Sequence, residues 1–135
     1  CRVEIERRTL PGETEDTFLD EIAVAVSMAR RIYPDLDVDV AITTSQRASD
    51  VAPDAPVMVE MLGAGQREGR PAPIEGISAW TDAALLNEAG IPAISFGPGD
   101  LGLAHSATEF VPVLEIEAAT RVLGRFVASW CNTAR

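Results

Sequence analysis

Residues Ser78–Val111 read SAWTDAALLNEAGIPAISFGPGDLGLAHSATEFV, and this run decides the fold. Ile77 to Trp80 has the makings of a short strand. Thr81 or Asp82 can cap a helix through Leu85 and Leu86, and Gly90 suits the position just past a helix end. Pro92 to Phe96 is short and nearly continuously apolar, the pattern of a strand covered on both faces in a parallel sheet. Gly97-Pro98-Gly99 ends it abruptly. A helix, a buried strand, a glycine-rich loop and a further helix predict α/β layering. Ligands of open α/β sheets gather beyond the carboxyl ends of the strands, which here means residues 97–109.

Outward from this run, the spacing predicts a last helix from Leu114 to Trp130. Its buried stripe would be Ile116, Ala119, Leu123, Phe126 and Trp130, with Glu117, Arg121 and Arg125 opposite. Upstream, Val57 to Leu62 predicts one short helix, and Gly63 to Pro73 reads as loop. Residues 44–56 carry Thr, Ser, Asp, Pro53 and Pro56 and read as a connector. The first unit is β-α-β. Val3 and Ile5 alternate with Arg2, Glu4 and Glu6 in a strand over 2–10, and Pro11-Gly12 turns the chain. Thr14 caps a helix whose apolar stripe is Phe18, Leu19, Ile22, Val26 and Ala29; Arg30, Arg31 and Pro34 close it. Val38, Val40 and Ile42 form the next strand. The expected division is 1–52 and 53–135.

The chain has 135 residues, of which 47% are hydrophobic, so it can build a core. Its 21 acids against 11 bases give a net charge of −10, which would be repelled by phosphate backbones and excludes nucleic acid as an expected partner. No apolar run approaches the length of a membrane span, and CRVEIERR at the N-terminus has no signal-peptide character. The two cysteines, Cys1 and Cys131, sit at opposite ends with no C-x-x-C spacing, and two lone cysteines make neither a disulfide framework nor a zinc knuckle. A reducing cytoplasm is the default compartment. Starting at Cys1 inside a strand, the chain reads as processed or incomplete.

Candidate functional residues are few. His105 is the single histidine, in the loop beyond the buried strand. It can be a metal ligand or a general base, or a surface side chain without a role. Zinc requires about three or four protein ligands, and one histidine with Glu109 nearby falls short. Asp82 is either a helix cap or a polar anchor in a cleft. The Gly97 and Gly99 backbone N–H groups can bind a carboxylate or merely turn a corner. An arginine at the end of the first strand can grip a carboxylate bidentately or point into solvent. Ser106 adjoins His105, but no G-x-S-x-G elbow is present, and Gly97-x-Gly99 is not a dinucleotide fingerprint.

Glu6–Glu13, ERRTLPGE, resembles the D-x-R-x-x-P-G strand of the metal-dependent aminoacylase and carboxypeptidase family. That family includes acetylornithine deacetylase, succinyl-diaminopimelate desuccinylase and carboxypeptidase G. Residues 78–111 resemble its C-terminal signature more closely: Thr-Asp, Gly-Ile-Pro, Phe-Gly-Pro-Gly and Ala-His-x-x-x-Glu follow in order. The resemblance implies the end of a two-zinc peptidase-like catalytic α/β domain, plus half of an α+β, ferredoxin-like lid that usually mediates dimerisation. It implies that His105 ligates one of two zinc ions, with cobalt or manganese as other metals. It implies that Arg8 binds substrate carboxylate and that the Gly97 backbone faces the substrate. Asp82 matches the Thr-Asp position, and Glu109 matches the acid after the histidine. Glu6 stands where aspartate is usual, Ala84 where many relatives carry arginine, and Thr108 where aspartate is common.

The implied reaction is hydrolysis of the amide bond of an N-acyl amino acid or small peptide by a homodimeric enzyme. The other metal ligands and the glutamate base would belong to a missing N-terminal segment, so no catalytic residue is expected in this chain and the chain alone is expected to be inactive. The alternative is a non-catalytic dimerisation or binding module, suggested by half a lid with an unpaired sheet edge.

Overall fold

A computed structural model of the chain describes residues 1–132. Residues 133–135, the end of the expected second unit, lie outside the described residues. Four α-helices follow in order: α1 (Glu15–Ile32), α2 (Pro56–Arg67), α3 (Ala83–Glu88) and α4 (Val113–Asn132). A single 3-10 turn, Leu101–Leu103, lies between α3 and α4.

Helix α1 starts where its cap chemistry dictates. Thr14 Oγ1 accepts the Thr17 N–H, and Thr17 Oγ1 accepts the Thr14 N–H, a reciprocal capping box. Glu15 and Asp16 occupy the first turn and Arg30 and Arg31 the last, each complementing the helix dipole. Phe18, Leu19, Ile22, Val26 and Ala29 are the half-buried face, as their spacing predicts. Leu19, Ile22 and Val26 share a shallow hollow with Val38 and Val40.

The core lies between α2 and α4. Met61 and Ala64 of α2 pack with Val122 of α4, and Ile94 and Phe126 close over them. Ala64 is fully buried, and Ala118 and Ala119 let the two backbones approach. Glu68, just past α2, pairs with Arg121 and Arg125 of α4.

Two expectations change here. Helix α2 runs five residues beyond Leu62, to Arg67, despite Gly63 and Gly65. Gly65 is buried, and its carbonyl accepts the Arg70 N–H at 2.8 Å. A Cβ on Gly65 would stand 2.7 Å from the Arg70 carbonyl oxygen, so glycine is what lets the chain double back. The buried stripe of α4 is also rotated: Ala118, Ala119 and Val122 are buried, whereas Ile116 and Leu123 are 47% and 41% exposed. The small residues win the contact because they allow a closer helix–helix approach than the larger ones.

The segments expected as strands (2–10, 37–42, 77–80 and 92–96) carry no ladder among the described residues. A strand exists only through partners, and the β pattern of a segment cannot supply them. The chain accordingly exposes 10706 Å², where a compact monomer of this mass exposes about 6,800 Å².

One of these segments is nevertheless held. Helix α3 ends in a Schellman turn: Ile91 N–H reaches the Leu86 carbonyl and Gly90 N–H the Asn87 carbonyl, with Gly90 at φ 77°. The Asn87 side chain then accepts the Ala93 N–H at 2.7 Å and donates to the Ala93 carbonyl at 2.9 Å. It also donates to Ser49 Oγ at 2.6 Å, and Glu88 lies 3.7 Å from Arg47. The connector thus docks on the last turn of α3.

Candidate functional site

The loop beyond residues 92–96 is built turn by turn. Gly99 has φ 95°, and an added Cβ would meet Val111 Cγ2 at 3.0 Å, so the corner requires glycine. Its N–H donates to Glu115 Oε2 at 3.0 Å. Of the two readings of this corner, that bond favours the plain turn at Gly99, whose donor is occupied by the protein's own carboxylate. Gly97 is exposed, with open space where a Cβ would stand. Asp100 caps the 3-10 turn by accepting the Gly102 N–H at 2.8 Å.

His105 follows with φ 63°, the one non-glycine residue with positive φ among the described residues. That region costs a side-chain-bearing residue of order 1 kcal/mol or more. Glu109 holds it there: Oε2 accepts the His105 N–H at 2.9 Å, while the Glu109 N–H reaches the Ser106 carbonyl at 3.2 Å. Ser106 Oγ accepts the Thr108 N–H, so it is spent on the same turn. The His105 side chain is exposed.

Asp82 precedes α3 with helical φ and ψ, and its carboxylate makes no cap bond. Its backbone carbonyl, not its side chain, receives the Leu85 and Leu86 N–H groups. Asp82 thus stands at the N-cap position, as read, but caps without its side chain, and the residue is exposed. Next to it, Thr81 Oγ1 lies 3.1 Å from Ser95 Oγ and ties the start of α3 to the segment that leads into Gly97.

Arg8 is 63% exposed and pairs with Glu6 at 2.9 Å, two residues back along the segment. Its neighbour Arg7 turns toward α1. Arg7 Nη2 donates to Glu13 Oε1 at 2.5 Å, Nη1 donates to Glu21, and the guanidinium lies 6.0 Å from the centre of the Phe18 ring. The Glu21 hydrogen bond is the main cause that raises the Arg7 pKa above its ordinary value. Glu13 is held below the usual carboxylate range, first by the Leu10 N–H at 2.7 Å and then, against its desolvation, by the Arg7 charge.

An open cleft is lined by both Arg8 and Gly97, together with residues 37–51 and 72–81. Asp82 and His105 do not line it. Sequence reasoning missed the Arg7 cage, the Asn87 clamp and the Glu115–Gly99 bond. The first had a local signal, an acid directly after Pro-Gly; the other two join residues whose pairing has no periodic signature.

Among the described residues, no three of His, Cys, Asp or Glu stand close enough to hold a metal ion. His105 offers one donor, and Glu109 beside it has an oxygen committed to the backbone. The residues present therefore do not form a zinc site by themselves. No described helix is long and apolar enough to cross a membrane.

Three relatives frame these features. The chain is 30% identical to acetylornithine deacetylase of Myxococcus xanthus over 132 residues, covering 98% of this chain and 33% of that protein. It is 36% identical over 86 residues to N-formyl-4-amino-5-aminomethyl-2-methylpyrimidine deformylase of Bacillus subtilis (strain 168), covering 63% and 20% of the two chains. It is 33% identical over 109 residues to a putative succinyl-diaminopimelate desuccinylase of Mycobacterium tuberculosis, covering 78% and 28%. The chain thus spans a third or less of the length of these relatives. No solved structure matches it. The family model described as peptidase family M20/M25/M40 matches residues 6–129, almost the whole chain, and the chain belongs to that family.

Proposed function

We propose that residues 1–135 are the C-terminal portion of a metal-dependent amidohydrolase that cleaves the amide bond of an N-acyl amino acid or a small peptide. The observation that carries this is the ordered signature 78–111, in which a glycine corner and a left-handed His105 follow the clamped segment 92–96. The names of the relatives (deacetylase, deformylase, desuccinylase) share removal of an acyl group from nitrogen. In this reading residues 1–52 belong to a lid and residues 53–135 to the catalytic α/β domain. The extended segments of each are strands whose ladder partners lie elsewhere in the enzyme. Arg8 and the free Gly97 N–H hold the substrate's carboxylate, and Asp82 is a polar group at the margin of that pocket. His105 supplies one ligand to a metal, zinc by preference, with cobalt or manganese as substitutes. The remaining ligands come from a segment outside these residues. The assembled enzyme is a cytoplasmic homodimer.

The test is hydrolysis of N-acyl amino acids by the full-length polypeptide, beside His105→Ala and beside the isolated 135-residue chain. Loss of turnover in the variant and no turnover by the isolated chain support the reading. Chelator-sensitive turnover by the isolated chain alone would overturn it.

A second reading, a non-catalytic dimerisation module, is favoured by one observation: Val3 and Ile5 are 74% and 66% exposed on an extended segment without a ladder. A chain that stays monomeric in concentrated solution by light scattering removes that reading.

A further inference from the structure

We propose that Arg7 is a positioning residue that sets the direction of Arg8, and so governs affinity for the substrate's free carboxylate. The inference rests on the reading of Arg8 given above and concerns how the chain holds it.

Successive side chains of an extended segment point to opposite faces, and a slip or roll by one residue exchanges the faces. Residues 2–10 have no ladder among the described residues to fix that choice. Within these residues Arg7 fixes it, and any ladder in the full-length enzyme adds to that hold. The Arg7 guanidinium is gripped by Glu21 in the second turn of α1 and by Glu13 before α1, and it lies over the Phe18 ring. Glu13 closes the turn in both directions. Its second oxygen takes the Leu10 N–H at 2.7 Å, and its own N–H reaches the Leu10 carbonyl at 3.0 Å. The end of the segment, the turn and the start of α1 are therefore one hydrogen-bonded body with Arg7 at its centre.

Arg8 takes part in none of these bonds. Its ion pair is with Glu6, two residues back along the segment. A roll that carried Arg8 toward α1 would have to draw Arg7 out from between two carboxylates. A planar, forked guanidinium can satisfy both at once, whereas an ammonium acts as a single point charge. Arg7 itself is too fully engaged to bind substrate.

The test is steady-state kinetics of the full-length enzyme on an N-acyl amino acid and on its carboxamide, which lacks the free carboxylate. The variants are Arg7→Met, Arg7→Lys, Glu21→Gln and Arg8→Ala. Arg7→Met is expected to raise KM for the carboxylate substrate on the order of tenfold with kcat within about twofold, the pattern of lost uniform binding. The carboxamide KM should stay unchanged, and Arg7→Lys and Glu21→Gln should give smaller shifts of the same sign. Partial unfolding lowers apparent kcat but not KM, so instability alone cannot imitate this result; Glu21→Gln leaves the Glu13 and Phe18 contacts in place should Arg7→Met fail to fold. If Arg8→Ala abolishes the preference for the carboxylate while Arg7→Met and Glu21→Gln keep it, the positioning role is wrong and the reading of Arg8 stands. If Arg8→Ala keeps the preference, the reading of Arg8 falls and the positioning role with it.

Discussion

Substituting alanine at two helical glycines, Gly65 and Gly124, should shift stability in opposite directions. In a helix interior, alanine is favoured over glycine by about 1 kcal/mol. At Gly124 in α4 an added Cβ meets nothing within 4 Å, so Gly124→Ala should gain most of that amount. At Gly65 the same Cβ stands 2.7 Å from the Arg70 carbonyl oxygen, a backbone atom that cannot rotate away. Relief requires lengthening the 2.8 Å bond from the Arg70 N–H to the Gly65 carbonyl or displacing buried Ala64 next door. Overpacking of this kind costs about 1–3 kcal/mol. The propensity term is common to both variants and cancels in their difference, which isolates the clash. Urea midpoints followed by the helical signal at 222 nm measure it, and equal slopes confirm that the same unit unfolds. Gly65→Ala should fall below wild type or at best match it, with Gly124→Ala above. If both variants are stabilised equally, the close return of the chain after α2 is wrong.

Four further outcomes are expected. Thr14→Ala removes the capping box of α1 and should cost about 1 kcal/mol in chemical denaturation, with Thr14→Ser recovering most of it. Glu13 has its folded pKa held below the ordinary 4.5, so its contribution is fully present above that value and is lost as pH falls through the lowered one. The urea midpoint should therefore be insensitive to pH near neutrality, where Glu13→Gln should lower it, and Glu13→Gln should flatten the decline seen below about pH 4.5. Gly99→Ala combines a positive φ with contact on Val111 and should disorder the 97–105 loop, visible as faster amide exchange at His105. Asn87→Ala leaves the Ala93 N–H and carbonyl without partners and should cost about 1–3 kcal/mol, whereas Ser49→Ala, which leaves both Ala93 bonds intact, should cost less than 1 kcal/mol.

The sequence carried its local chemistry well. The cap at Thr14, the five-residue face of α1, the glycine after α3 and the corner at Gly99 all follow from rules that act within one turn of chain. Errors arose where a distant residue decides. Gly63 and Gly65 read as loop because nothing in a linear pattern announces that Arg70 will return to Gly65. Ile116 and Leu123 outrank Ala118 and Val122 in hydrophobicity, yet α2 approaches the smaller side chains. Of the candidate site, the signature order and the position of His105 were legible. The strain at His105 and its tether to Glu109 were not, because periodicity does not encode positive φ at a histidine.

The side chain of Asn87 offers Ala93 the pair of bonds that a neighbouring strand would offer, and does so with no sheet among the described residues. The backbone at Ala93 is thus held by a side chain six residues away. A sheet that forms against this segment would meet a backbone already held at that residue, and the barrier to its first pairing would be lower by that ordering. In the proposed enzyme this segment would act as a seed to which other strands add, with the loop that bears His105 tethered at one end by Asn87.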